Sequence, residues 1–241
     1  MSYNNGPTIV RDGLTFCCDI ANPKSFVSGS TTMYDLSLNR YTASLFNGPT
    51  YTGSNNGSLV FDGSNDHGIV TSSIIVAGTQ VSCCFWTFIP NRLNTTMISI
   101  SNSGSNPNGG NIFGIFIYPY GGSSAGVIFD AGRDQYPHGP VDSYSIIISD
   151  FRDVFERWNY WCFTKNSSTQ IMNIYRNGQL AGSGGGKNLA INSGFGNASL
   201  FFDGSSNYLN GRMSLFQFYS KELSATEVRQ NYDATKGRFG L

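Results

Sequence analysis

The segment Trp161-Cys162-Phe163-Thr164-Lys165-Asn166-Ser167-Ser168-Thr169-Gln170-Ile171-Met172-Asn173-Ile174-Tyr175-Arg176-Asn177-Gly178 constrains the fold more than any other part of the chain. It reads as two short strands, the first anchored by a Trp. In the second, Ile171, Asn173 and Tyr175 fall on one face and Met172, Ile174 and Arg176 on the other, because strand side chains alternate. Asn177-Gly178 closes the run. Both residue types tolerate the positive φ of a type I′ turn, so a tight β-hairpin is expected there.

The composition agrees with many short strands. Only 12% of the 241 residues are charged, 39% are hydrophobic, and 29 are Gly. Long surface helices would need more Glu and Lys. Aromatic residues make up 14%, enough to bury a core rather than leave the chain disordered. The 15 basic and 15 acidic residues cancel with no basic run, so a nucleic-acid partner is not expected. No apolar stretch approaches the roughly 18 residues of a membrane span, so no membrane partner is expected either. Met1 to Pro7 carries neither a basic nor an apolar signal region, and no secretory signal is expected.

Cysteines stand at Cys17, Cys18, Cys83, Cys84 and Cys162. Adjacent strand residues point to opposite faces, and metal-type Cys-x-x-Cys spacing is missing. The five therefore read as free, mostly buried thiols, made and folded in a reducing cytoplasm.

Along the chain, strands are expected at 9–20, 67–70, 81–89, 97–100, 112–118, 126–130, 144–148 and 213–219. Residues 34–52 read as short and turn-rich, 102–111 as an exposed loop, and Gly182–Gly186 as a flexible turn. Residues 119–157 are the least regular part and read as loop-rich, hence functional or mobile. Ser199-Leu200-Phe201-Phe202-Asp203-Gly204-Ser205-Ser206-Asn207 echoes residues 58–66, which points to two similar strand-plus-turn elements. A short helix is expected over 223–232, with Ser224 as N-cap and Glu227 completing a capping box. Trp86, Trp158 and Trp161 read as core. No linker divides the chain, so residues 1–241 read as a single domain.

Five phrases in this order resemble concanavalin A-like domains of the laminin-G and pentraxin kind. They are Gly57 to Asp66, Val81 to Trp86, Trp161 to Gly178, Asp203 to Gly211, and Phe216 to Ser224 with its Leu-Ser-x-x-Glu helix start. The resemblance implies an all-β jelly-roll sandwich of two antiparallel sheets with one short C-terminal helix. The ends, Val10 to Phe26 and Asn231 to Leu241, resemble such domains in virion proteins of tailed bacteriophages, in particular T4-like cyanophages. That implies a structural protein of the virion, made in the host bacterial cytoplasm, with capsid or tail proteins as partners. Two roles stand: a capsid decoration or tail-associated module, and a receptor-type lectin that binds host surface polysaccharide. Uncovered sheet edges leave a homo-oligomer open.

The fold also hosts glycoside hydrolases, which need a spaced carboxylate pair. The chain has only three Glu residues, Glu156, Glu222 and Glu227, and no Glu-x-Asp-x-x-Glu strand; Asp153 and Glu156 read as solvated charges beside Arg152 and Arg157. His67 and His138 stand without a supporting constellation, so the chain reads as non-enzymatic. Pentraxin-like relatives hold Ca²⁺ in loops that correspond here to Asn108 or Asn111 and Asp203, with Asn207 near. Ca²⁺ is therefore the one cofactor implied, although this set is poor in the carboxylates that Ca²⁺ prefers. Asp203 reads equally as a turn residue, as do Asp62 and Asp66. For a ligand, Tyr118, Tyr120, Asp130, Arg133, Asp134, Tyr136 and His138 group aromatic and planar polar side chains in Gly/Pro-rich loops, where binding residues concentrate. They suit a glycan or a protein contact.

Overall fold

The computed structural model describes residues 7–70, 78–90, 95–101, 111–120, 122–133, 141–186, 198–202 and 207–241, with backbone alone at 95–101, 111–112, 132–133 and 141–142. The early strands are β1 (Leu14–Asp19), β2 (Thr32–Tyr34), β3 (Thr42–Phe46), β4 (Thr50–Thr52), β5 (Ser58–Asp62) and β6 (His67–Val70). The middle of the chain forms β7 (Gln80–Phe88), β8 (Thr95–Ser101), β9 (Asn111–Tyr120), β10 (Ser124–Arg133) and β11 (Val141–Ile148). It closes with β12 (Trp158–Asn166), β13 (Ile171–Arg176), β14 (Gln179–Gly185), β15 (Ala198–Leu200), β16 (Asn210–Tyr219) and helix α1 (Ala225–Thr235). One sheet runs β14-β13-β12-β7-β16-β5-β4, with β1 also paired to β16. The other runs β11-β10-β9-β8-β15-β6-β3-β2. Pairing within both is antiparallel, giving the expected jelly-roll sandwich.

The hairpin forms as its sequence dictates. Arg176 pairs with Gln179, and Asn177 (φ +51) and Gly178 (φ +75) turn between them. The chain therefore reverses within two residues. The capping box of α1 also forms: the Glu227 amide donates to Ser224 Oγ at 3.3 Å, and Ser224 donates its amide to Glu227 Oε2 at 2.9 Å.

The first sheet is buried on both faces at its centre. Val81, Cys83, Phe85, Trp161, Phe163, Phe216 and Phe218 face the second sheet. There Phe113 meets Phe218 at 5.1 Å and Phe129 meets Phe163 at 5.5 Å. The opposite face of the first sheet carries Cys84, Trp86, Tyr160, Cys162 and Tyr219, covered by α1 and the N-terminal segment. Burial on both faces explains why residues 81–89 read as an unbroken apolar run. Trp86 and Trp161 are fully buried; Trp158 is half-buried at the edge of the helix layer.

Four expectations need correction. Residues 9–13 do not extend the first strand: the chain turns at Gly13 (φ +72), and Val10 instead donates its amide to Asn231 Oδ1 of the helix at 2.7 Å. Residues 119–157 hold more strand than expected: among the described residues, the strands expected at 126–130 and 144–148 extend over 124–133 and 141–148. Gly182 to Gly185 belong to β14, where Gly182 and Gly184 lie under Ile146 and Tyr144 of β11. Finally, Cys84 and Cys162 are not free. They sit directly opposite each other in the β7–β12 register, with Cα atoms 4.1 Å apart, and form a disulfide. Strand neighbours diverge, but cross-strand partners converge. Cys17, Cys18 and Cys83 remain free and buried, and desolvation pushes their thiols up.

Candidate functional site

With helix and sheet covering the first sheet, the outer face of the second is the one large sheet surface left open among the described residues. An open antiparallel face is ordinarily polar. This one is not. Along β9 the inward residues Phe113, Ile115 and Ile117 are fully buried, while Phe116, Tyr118 and Tyr120 point outward. On β10 and β11 the same face carries Gly126, Ile128, Asp130, Ser143, Ser145 and the 56% exposed Ile147.

Tyr118 lies across its cross-strand partner Gly126, where a Cβ would overlap the ring. The missing side chain lets the ring lie flat on the sheet. Tyr120, 47% exposed, stands edge-on to Tyr118 with ring centres 6.2 Å apart. Tyr118 thus lies in the strand expected at 112–118, and Tyr120 extends that strand rather than sitting in a Gly/Pro-rich loop.

A second aromatic group occupies the same end of the same face. Phe46 of β3 and His67 of β6 are register partners, stacked at 5.1 Å with planes 11° apart. His67 also meets Phe202 at 5.4 Å and Tyr208 at 6.1 Å, and those two rings stack at 4.3 Å. His67 Nδ1 lies 2.8 Å from the Asn65 carbonyl, which only accepts, so a proton is assigned to Nδ1. Below the rings, Asp62 accepts the Ser64 amide at 2.7 Å, and backbone amides hold its carboxyl below the usual range; Asp66 is buried, and desolvation pushes it up.

Phe201 makes this cluster. It is fully buried at φ +67, a strained conformation for an aromatic residue. The left-handed residue lets Phe201 enter the core and Phe202 join the surface. The echo between the two Asp-Gly turns has a spatial meaning as well: His67 and Tyr208 occupy matching positions of the two copies, and they meet. None of Phe46, Phe202 or Tyr208 was an expected site residue. The available clue was the ring at each end of both turns, Phe61 and His67 in one, Phe202 and Tyr208 in the other.

A laminin-G-type family model, described as the concanavalin A-like lectin/glucanases superfamily, matches residues 61–229, well over half the chain. The chain belongs to that superfamily. Its fold is similar to the receptor-binding domain of botulinum neurotoxin C/D mosaic serotype (16% identity, TM-score 0.63), covering 92% of this chain and 51% of that one. It is also similar to the botulinum neurotoxin serotype G binding domain (18% identity, TM-score 0.62), covering 91% and 50%. A third similar structure is the serotype D ligand binding domain in complex with N-acetylneuraminic acid (16% identity, TM-score 0.62), covering 92% and 51%. The chain thus spans about half the length of these structures. A search of curated proteins found no match.

Within this lectin-type sandwich the expected ligand residues separate. Tyr118 and Tyr120 lie at one end of β9–β10. Asp130, opposite Gly114 and Ser143, and Arg133, opposite Val141, lie at the other. Four residues separate Asp130 from Gly126, roughly 13 Å at strand rise. Asp134, Tyr136 and His138 fall outside the described residues. Of the implied Ca²⁺ ligands, Asp203 and Asn108 fall outside them too. Asn111 begins β9, while Asn207 adjoins Tyr208 at the aromatic end, roughly 20 Å away along the strand direction. Among the described residues, no group of three or more His, Cys, Asp or Glu is placed to hold a metal.

One oxygen of Asp130 is buried with no hydrogen-bond partner, and desolvation pushes its pKa up against the opposing bond from Ser143. A carboxylate whose folded pKa lies above its unfolded value costs stability at neutral pH, and the cost disappears below the unfolded value of about 3.9. Asp130→Asn is therefore expected to raise Tm at pH 7 and to lose that advantage as pH falls towards 4. Melting curves across pH 4–8 test this; a lowered Tm at pH 7 would contradict it.

Proposed function

We propose that this chain is a non-enzymatic lectin-type module of a tailed-phage particle, read as one domain, which binds host surface saccharide on the outer face of its second sheet. The observation that carries the reading is the pair of aromatic groups, Tyr118–Tyr120 and Phe46–His67–Phe202–Tyr208, at one end of the sheet face left open among the described residues. Rings of this kind stack on the apolar faces of sugars. Asp62, Asn65 and the His67 ring supply polar atoms beside them for hydroxyls. The family supports saccharide binding in general; the phage setting rests on the resemblance of the two chain ends. A capsid-decoration or tail position suits a sandwich that presents such a face.

Occupied carboxylates support the non-enzymatic reading. Glu222 accepts from Asn166 at 2.8 Å, Glu227 serves the capping box and Lys221, and Asp153 faces Arg157 at 3.7 Å and Arg176 at 3.5 Å.

The test is binding of the purified chain to host-envelope polysaccharide, with and without Ca²⁺. Losing a buried aromatic anchor from a binding face costs about 2 kcal/mol, roughly 30-fold in affinity. Tyr118→Ala with Tyr120→Ala, and separately Phe46→Ala with His67→Ala, are each expected to weaken binding by at least that factor. Folded wild-type protein that binds no envelope polysaccharide in either condition would end the lectin reading. Binding untouched by both double variants would move the site elsewhere.

A further inference from the structure

On the other side of the sandwich from the aromatic face, the N-terminal segment, β1, the 36–40 turn and the residues after α1 enclose a groove of about 550 Å³. Its charge is one-sided. Arg11, Lys24, Arg40 and Arg238 line it, and among the described residues its single carboxylate is Asp19. Asp19 is consumed by Arg238, at 2.9 Å. Among the described residues, Arg11, Lys24 and Arg40 are exposed and have no ion-pair partner. In a chain of zero net charge, three uncompensated cations around one hollow are a local asymmetry that attracts anions.

Other acids around the groove are already engaged, Asp233 by Arg229 at 2.7 Å and Lys236 at 2.8 Å. Asp12 pairs with Lys221 at 2.8 Å. Asp35, buried beneath the 36–40 turn, accepts from the amides of Cys17, Ser37 and Tyr41 and from the Ser37 hydroxyl at 2.6 Å. Its bonds fix the turn that carries Leu36 and Arg40. Arg238 is also fixed: it donates to Asp19 and to Ser214 Oγ at 2.7 Å, yet its buried Nε has no partner. The wall thus holds an oriented guanidinium beside three exposed cations.

The rest of the lining indicates what sort of anion fits. Leu14, Leu36 and Leu215 give an apolar strip, and Thr8, Asn22 and Thr235 give neutral hydrogen-bonding groups. Among the described residues, no aromatic side chain lines the groove to stack on a nucleobase. The volume falls in the range of small-ligand sites, roughly 300–1,000 Å³. We propose that this groove is a second binding site, for a short segment of acidic saccharide bearing carboxylate or sulfate groups. It does not depend on the aromatic face.

Calorimetric titration with a uronic-acid trisaccharide, a sulfated trisaccharide, a neutral trisaccharide and a tri-glutamate peptide tests the assignment. At least one acidic sugar is expected to bind, with affinity that falls as salt screens the cations, and the neutral sugar is not. Which acidic sugar binds distinguishes carboxylate from sulfate recognition. Joint Arg11→Ser, Lys24→Ser and Arg40→Ser replacement is expected to weaken binding at least 10-fold, as is Arg40→Glu alone in a minimally altered fold. Arg152→Ser, remote and exposed, is expected to leave it unchanged, and so is Tyr118→Ala with Tyr120→Ala. That last variant separates this site from the aromatic face. No binding of either acidic sugar, equal loss with Arg152→Ser, or peptide binding as tight as sugar binding would overturn the proposal.

Discussion

Replacing Trp86 with Ala is expected to destabilise the protein by about 3–5 kcal/mol, the range for emptying a buried Trp site. That is a large share of the roughly 5–15 kcal/mol that holds a domain folded. Trp86 is the pivot between the first sheet and the C-terminal helix. It is fully buried, stacks on Phe239 at 4.1 Å, contacts Tyr160 at 5.4 Å and Tyr232 at 5.8 Å, and donates its indole N–H to Thr235 Oγ1 at 2.8 Å. Truncation leaves a cavity under the helix and unseats the turn that carries Thr235. Trp86→Phe keeps most of the volume and loses the hydrogen bond, so its cost is expected to be about 1–2 kcal/mol. Urea unfolding of the three proteins measures the difference. A loss below about 1 kcal/mol for Trp86→Ala would show that the helix layer adds little to stability.

The second large effect is expected from a glycine. Gly184 of β14 lies beneath Tyr144, and an added Cβ would overlap that ring; at Gly182 it would overlap Ile146. The two sheets come this close because β14 and β11 are their neighbouring edges. Gly184→Val forces Tyr144 out of place at a cost of about 1–3 kcal/mol, or very roughly 3–10 °C in Tm for a chain of this size. Gly185→Val is the control, since its nearest neighbour is a backbone oxygen 3.9 Å away. It is expected to change stability by less than about 0.5 kcal/mol. In the Tyr144→Ala background, Gly184→Val should lose most of its cost, because the clash is with that ring. Equal effects at 184 and 185 would assign the cost to glycine's backbone instead.

These two sites mark what the sequence reveals and what it hides. The Asn177-Gly178 turn, the Ser224–Glu227 cap and the apolar run of β7 were legible because each is set by neighbours in sequence. Gly182 to Gly185 were not. Glycine is a poor strand former, and only the opposite sheet shows why it is needed there. In 119–157 two strands were legible at 126–130 and 144–148, but not their full lengths of 124–133 and 141–148. Of the candidate site, Tyr118 and Tyr120 could be found as surplus aromatics. The Phe46–His67 stack could not, since it exists only in the β3–β6 register. The Cys84–Cys162 pair was missed for the same reason.

The position of β16 has a consequence for how the molecule is made. This strand lies at the centre of the first sheet, with β7 on one flank and β5 and β1 on the other. It also follows β1, β5 and β7 in the sequence. Until residue 219 has left the ribosome, β1 and β5 lack the partner that joins them to β7, and the two halves of that sheet remain separate hairpins and single edges. Pairing across so much sequence is slow, and it leaves unpaired strands exposed in the meantime. Assembly of the first sheet therefore has to wait for residues 210–219, and until they arrive the earlier strands depend on whatever shields their edges.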